Sequence, residues 1–137
     1  MVSLLIPAFN EEESIKVTID NAKLLFKNLK IKKFEIIVIN DGSTDRTEKF
    51  AKRTGVKIIN HPQNLGYGFS LKNGIRNASY ETIIITDADH TYPLDEVPNL
   101  YTEYKKGFDM VVGKRIGYKE SIFKTILRKI LKLVVEF

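Results

Sequence analysis

The chain has 137 residues and a formal net charge of +5, with no cysteine and no tryptophan. One globular domain fits that length. At 43% hydrophobic and 28% charged, the composition excludes a disordered chain, while the missing cysteines exclude a disulfide framework, thiolate zinc sites and cysteine catalysis. Two histidines, His61 and His90, are too few for a histidine-built metal cluster, and no apolar run approaches the ~18 residues a membrane span needs. The N-terminal stretch lacks the basic start and small-residue cleavage site of a signal peptide, so a cytoplasmic location is expected.

Val2 to Ile6 is a short apolar run closed by Pro7. From Glu11 to about Leu29, apolar residues recur three or four apart, which predicts a helix. Asn10 is placed as its N-cap, and Glu11, Glu12 and Glu13 suit the positive end of its dipole. Phe34–Ile39 is the second strand. It runs into the turn Asn40-Asp41-Gly42-Ser43, and a short helix follows to about Arg53. Val56–Ile59 is the third strand, followed by a loop holding His61, Pro62, Gly66 and Gly68 and a helix to about Asn77. Glu81–Thr86 is the fourth strand, ending at Asp87-Ala88-Asp89. A helix follows Pro93, and Met110–Val112 falls inside an expected fifth strand.

Strands rich in Ile and Val without polar alternation read as buried on both faces and therefore parallel. Alternating strands and helices then give an α/β open sheet with right-handed crossovers. Ligands bind such sheets beyond the carboxyl ends of the strands. Three of these ends carry acids: Glu11 after the first, Asp41 after the second, and Asp87 with Asp89 after the fourth. The fifth is followed by Lys114 and Arg115. Hard carboxylate oxygens beside a basic pair match a divalent cation and a polyphosphate. Plainer readings stand beside this one. Asp41 is a turn former in any protein, Glu12 and Glu13 fit a solvated first turn, and Asp87 could cap the next segment. Gly66 and Gly68 fail the dinucleotide fingerprint, because Leu71 stands where its third glycine belongs. They read as turn and close-packing residues. His61 reads as structural, and His90 is open.

Four motifs in order carry a resemblance: PAFNEEE, NDGSTDRT, TDADHTYP and VVGKR. Together they resemble the family 2 glycosyltransferases of GT-A fold, closest to the dolichyl- or polyprenyl-phosphate sugar synthases, from Val2 to about Arg115. The resemblance implies that Pro7, Ala8, Phe9 and Glu11 line the pocket for the base and ribose of a nucleoside-diphosphate sugar of UDP or GDP type. Asp41 would hold the base. Asp87, with Ala88, would face the ribose or sugar. Asp89 would bind Mg2+ or Mn2+ with Thr91 as a weaker ligand, where relatives carry glutamine. Arg115 would contact phosphate, making Asp87, Asp89 and Arg115 the implied catalytic set.

The implied reaction is an inverting transfer to a polyprenyl or dolichyl phosphate. A lipid phosphate is mostly anionic at neutral pH, its second pKa being roughly 6 by analogy with phosphorylated side chains, so it needs less general-base help than a hydroxyl. The chain divides into a nucleotide-sugar-binding core, 1–118, and a C-terminal segment, 119–137. The seven bases from Lys114 onward face only Glu120 and Glu136, so the whole +5 resides there, and 15 bases and 15 acids cancel elsewhere. Ile122, Phe123, Ile126, Leu127, Ile130 and Leu131 alternate with those bases as a basic amphipathic helix. It suits a membrane interface, or docking on the sheet or on a second copy of the chain. The neutral remainder argues against nucleic acid. The alternative function is a catalytically incomplete nucleotide-sugar-binding module that needs a partner chain.

Overall fold

In the computed structural model, residues 1–89 and 94–114 are described. The elements run β1 (Val2–Ala8), α1 (Ile15–Asn28), β2 (Phe34–Asn40), α2 (Thr47–Lys52), β3 (Lys57–Asn60), α3 (Tyr67–Asn77), β4 (Ile83–Ile85), a 3-10 turn (Leu94–Glu96) and α4 (Val97–Tyr104). The four strands form one sheet in the order β3-β2-β1-β4, and all three pairings are parallel. This is the expected open α/β sheet.

The two central strands are buried on both faces. Val2, Leu4, Ile6 and Ala8 of β1, with Ile36 and Val38 of β2, pack beneath Ile15, Ile19, Ala22 and Phe26 of α1. Phe26 stacks on Phe34 with ring centroids 4.6 Å apart. Full burial of each such side chain contributes roughly 1.5–3 kcal/mol. Leu5, Ile37 and Ile39 point to the other face, where Gly74 lets α3 approach. A Cβ there would lie 2.9 Å from Ile39 Cδ1. Burial on both faces fails at the edges, where β3 and β4 are only half-covered. Among the described residues each edge strand is paired on one side alone, and Ile85 is 45% exposed.

Two further expectations are corrected. Residues 108–114 form no strand. Met110 and Val112 are 79% and 70% exposed, and no described strand pairs with them, so their β propensity has no ladder to join. Helix α1 starts at Ile15 rather than Glu11, and Asn10 is not its N-cap. Asn10 takes a left-handed conformation, φ +56°, which Asn tolerates better than most residues. The expected boundary at 118 and the C-terminal helix lie outside the described residues.

Register brings the carboxyl ends of three strands level, Ala8 opposite Asn40 and Asn40 opposite Asn60. The fourth end diverges, for a reason legible in one residue. Along β1, odd positions bond toward β4: Ser3 N–H donates to Thr82 O, and Leu5 O accepts from Thr86 N–H. Even positions bond toward β2, as where Asp41 N–H donates to Ala8 O at 2.9 Å. Pro7 is odd and has no N–H to offer β4. The β1–β4 pairing accordingly ends at Leu5 and Ile85, and the chain after Thr86 leaves the sheet. The crossover direction reverses between β1 and β4, so a crevice opens at the switch point where ligands bind in such sheets.

Candidate functional site

Asp87-Ala88-Asp89 is held at that crevice by its middle residue. Ala88 is 3% exposed and joins the core, and its carbonyl accepts a 2.9 Å hydrogen bond from the Thr18 hydroxyl of α1. The two acids flank this anchor and line different hollows. Asp89 faces a 320 Å³ hollow with Glu11, Glu12, Glu13 and Asp45. Asp87 lines a 420 Å³ groove between α1 and residues 94–98, together with Thr86 and Asp95. Thr86 Oγ1 is buried and has no hydrogen-bond partner.

The acidic loop after β1 is stitched to the loop after β2 by paired contacts across some thirty residues of sequence. Asn10 N–H donates to Ser43 Oγ, and Asn10 Oδ1 accepts from Thr44 N–H. Glu11 N–H donates to Thr47 Oγ1 at 2.7 Å, and Glu12 N–H to Asp45 Oδ2 at 3.0 Å. The Glu12 carboxylate accepts from the Arg46 backbone N–H and from its guanidinium. Glu12 is therefore a cross-link rather than a solvated first-turn residue, and its hydrogen bonds from Arg46 lower its pKa. Asp45 also closes a local turn, accepting Thr47 N–H at 2.9 Å. Burial opposes its ionisation, but these hydrogen bonds prevail and lower its pKa. The latch fixes the backbone of Glu11, whose carboxylate accepts from Ser14 Oγ at 2.7 Å.

Asp41 lies deeper, 4% exposed. Its Oδ1 accepts from His61 Nδ1 at 2.7 Å and from Leu65 N–H at 2.9 Å, and its Oδ2 accepts from Gly66 N–H at 2.8 Å. Burial alone would raise this carboxyl, but the His61, Leu65 and Gly66 hydrogen bonds outweigh it and leave the pKa lowered. The loop can close on Asp41 because of Gly42. At φ +72°, a Cβ on Gly42 would lie 2.3 Å from the Gln63 carbonyl carbon. Close packing thus belongs to Gly42. Gly66 is a turn residue at φ +91°, and Gly68 has nothing within 4 Å of a built Cβ.

Of the other predicted residues, Pro7 is half-buried, Ala8 buried and Phe9 45% exposed at the end of β1. Pro7, Ala8, Glu11, Asp41, Asp87 and Asp89 share the carboxyl edge of the sheet. Thr91, Arg115 and His90 lie outside the described residues. Sequence reading missed Asp45, Arg46 and Thr47 as partners of the first loop, and Asn73 as a partner of His61. The Asp45-x-Thr47 spacing signals a local turn, but nothing in a linear pattern signals a bond to residue 12. His61, expected as a structural residue, is buried and hydrogen-bonded at both ring nitrogens.

Asp89 and Glu11 offer only hard carboxylate oxygens, the donor chemistry Mg2+ and Mn2+ prefer. No group of three or more acids or histidines gathers tightly enough among the described residues to hold a metal alone. The residues therefore fit a cation shared between one or two carboxylates and a bound phosphate. No helix among the described residues is long and apolar enough to cross a membrane.

Comparison with known proteins agrees with this architecture. The chain is 28% identical over 140 residues to an undecaprenyl-phosphate 4-deoxy-4-formamido-L-arabinose transferase of Photorhabdus laumondii, covering 98% of this chain and 43% of that one. It is 35% identical over 119 residues to a bactoprenol glucosyl transferase of Shigella phage SfV, covering 83% and 38%. The chain thus spans less than half the length of these relatives. Among solved structures, glucosyl-3-phosphoglycerate synthase from Mycobacterium tuberculosis, in complex with Mn2+, UDP-glucose and phosphoglyceric acid, superposes with a TM-score of 0.64 at 31% identity, covering 78% of this chain and 40% of that one. These neighbours share the GT-A fold expected from the motifs. The profile of Glycosyl transferase family 2 matches residues 3–134, nearly the whole sequence, and the chain belongs to that family.

Proposed function

We propose that this chain forms the donor-binding part of a glycosyltransferase that moves a sugar from a nucleoside-diphosphate sugar, of uridine type, to a polyprenyl phosphate. The observation that carries the reading is the crevice between β1 and β4, where Pro7 ends the ladder and Glu11 and Asp89 line one hollow. Support comes from a structural neighbour solved with Mn2+ and UDP-glucose and from relatives named for undecaprenyl-phosphate and bactoprenol transfer.

In this reading Pro7, Ala8 and Phe9 flank the base and ribose, and Asp41 presents Oδ2 to a base N–H. Its Oδ1 is already occupied by two donors. A guanine edge offers two parallel N–H groups that want both carboxylate oxygens, whereas the uracil imide offers one, which favours uridine. Asp87 faces the ribose or sugar. Asp89, with Thr91, would hold Mg2+ or Mn2+, which offsets the charge that grows on the leaving diphosphate. Arg115 contacts the same phosphates as a fixed cation. An oxygen of the acceptor phosphate forms the new bond to the anomeric carbon. The bond from that carbon to the diphosphate oxygen breaks, and the nucleoside diphosphate leaves with the electron pair. The basic segment 119–137 would rest peripherally on the cytoplasmic membrane face, near the lipid acceptor.

Calorimetric titration with UDP, GDP and their glucose forms, with Mn2+ and then with EDTA, tests this. Metal-dependent binding of the uridine forms is expected, and Asp89→Asn should abolish the metal dependence while leaving the fold intact. A folded chain that binds no donor would replace this reading with that of a module completed by a partner chain.

A further inference from the structure

A hydrogen-bond chain runs from the exposed Asn77 through the half-buried Asn73 to the buried His61 and Asp41, and its direction can be worked out atom by atom. Asn77 Nδ2 lies 2.9 Å from the Asn73 backbone carbonyl, which only accepts, so that nitrogen is a donor. The same nitrogen lies 2.9 Å from Asn73 Oδ1, which fixes the orientation of the Asn73 amide. Asn73 Nδ2 is then the atom 2.8 Å from His61 Nε2. An amide nitrogen only donates, so Nε2 carries the lone pair and the ring proton sits on Nδ1. Nδ1 points at Asp41 Oδ1, 2.7 Å away, and the two side chains are 4% and 6% exposed. Phe69 meets the imidazole edge-on, centroids 5.3 Å apart.

We propose that His61 is a positioning residue for nucleotide binding, its Nδ1–H tautomer set by Asn73 and Asn77 and its proton holding Asp41 turned so that Oδ2 faces the ligand. The inference rests on the donor-binding reading above and adds to it the residues that orient the base contact. His61 and Leu65 N–H together occupy Oδ1, and Gly66 N–H takes one position on Oδ2. One acceptor position remains on Oδ2 for an incoming N–H. Without the His61 proton, a buried carboxylate beside an aromatic ring loses its charge-assisted donor. It then either turns toward another donor or takes up a proton, and in both cases stops accepting from the base. The effect falls on recognition of the base and spares the phosphate side of the site.

The test combines nucleotide titration with imidazole NMR on the full chain. With only two histidines, long-range nitrogen–proton spectra resolve His61 readily, and the Nδ1–H pattern is expected. Asn73→Asp sets an acceptor against Nε2 and should move a proton onto that nitrogen. His61→Ala should weaken Mn2+–UDP binding by about tenfold, the size expected for losing a hydrogen bond to a charged group. It should also erase the preference for UDP over CDP, because cytosine carries no N–H at the ring position where uracil does. His61→Asn places an amide donor near the Nδ1 position and should restore both. An Nε2–H tautomer in the unmodified protein would overturn the inference. So would unchanged UDP affinity and selectivity in a folded His61→Ala, or a His61→Asn as impaired as His61→Ala. An unmodified chain that binds no nucleotide is a different result, since it removes the donor reading itself and the ligand role of His61 with it.

Discussion

Gly42, Gly74 and Gly68 provide a graded test of how the candidate site is packed, since alanine at each adds the same methyl group to a different environment. At Gly42 the added Cβ would lie 2.3 Å from the Gln63 carbonyl carbon and 2.6 Å from Asn64 N, both backbone atoms, on a residue at φ +72°. A non-glycine residue in that region costs about 1–3 kcal/mol, and forced overpacking adds about 1–3 kcal/mol, so Gly42→Ala should lose roughly 2–6 kcal/mol. At Gly74 the nearest atom is the end of a side chain, Ile39 Cδ1 at 2.9 Å. There the helix gain of about 1 kcal/mol for alanine over glycine and the overpacking cost nearly cancel. Gly68 lies in the first turn of α3 with open space around it, so alanine there should gain up to ~1 kcal/mol. Urea unfolding followed by circular dichroism reads all three. With an m-value of about 1.5 kcal/mol/M, a ~3 kcal/mol loss moves the midpoint down by about 2 M. Gly42→Ala should also weaken nucleotide binding, because segment 63–64 precedes the Leu65 and Gly66 N–H groups that Asp41 accepts from. A Gly42→Ala midpoint level with that of Gly68→Ala would refute the close contact between the 42 and 63–64 backbones.

Acid should destabilise the fold through carboxylates whose pKa is lowered, chiefly the half-buried Glu35 and the buried Asp41. A folded pKa below the unfolded value gives stability that is complete above the unfolded value, near 4, and is lost as pH falls through the folded one. Glu35 is opposed by burial but held ionised by the Ser3 hydroxyl at 2.6 Å and by Ser79. Glu35→Gln should therefore flatten the fall in urea midpoint between pH 5 and pH 3, and an unchanged slope would reject the assignment. Asp45→Ala should cost about 1–3 kcal/mol by stranding Glu12 N–H and Thr47. Glu12→Gln, which touches an exposed pair, should lower the melting temperature less than Asp45→Ala does; thermal melts of the two variants and their double mutant separate the shares. Thr86→Val removes a buried hydroxyl without a partner and should leave the melting temperature equal or higher. A lower donor affinity in that variant would show that Thr86 serves the ligand rather than the fold.

Much of the architecture was legible in the chain. Ile-rich runs without polar alternation announced parallel strands, and apolar spacing placed α1. Acids after three strands placed Glu11, Asp41, Asp87 and Asp89 on one edge, because in a parallel sheet all carboxyl ends must lie together. Where the reading failed, the deciding partner was distant in sequence. Met110–Val112 has strand composition, but a strand exists only if a neighbour offers a ladder. Asn10 looks like a helix cap, yet its side chain is engaged by Thr44, 34 residues on. Glu12 looked solvated until Arg46 came beside it. The sequence by itself determined the fold class and which edge of the sheet gathers the acids, since these follow from local periodicity and from chain direction. Only the tertiary structure decided that Ala88 anchors two acids into separate hollows, that the first two loops latch together, and that Asn77, Asn73 and His61 connect to Asp41. Each of those depends on where atoms meet across the sheet, and hydrogen-bond direction acts over about 3 Å, far below the resolution of any linear pattern.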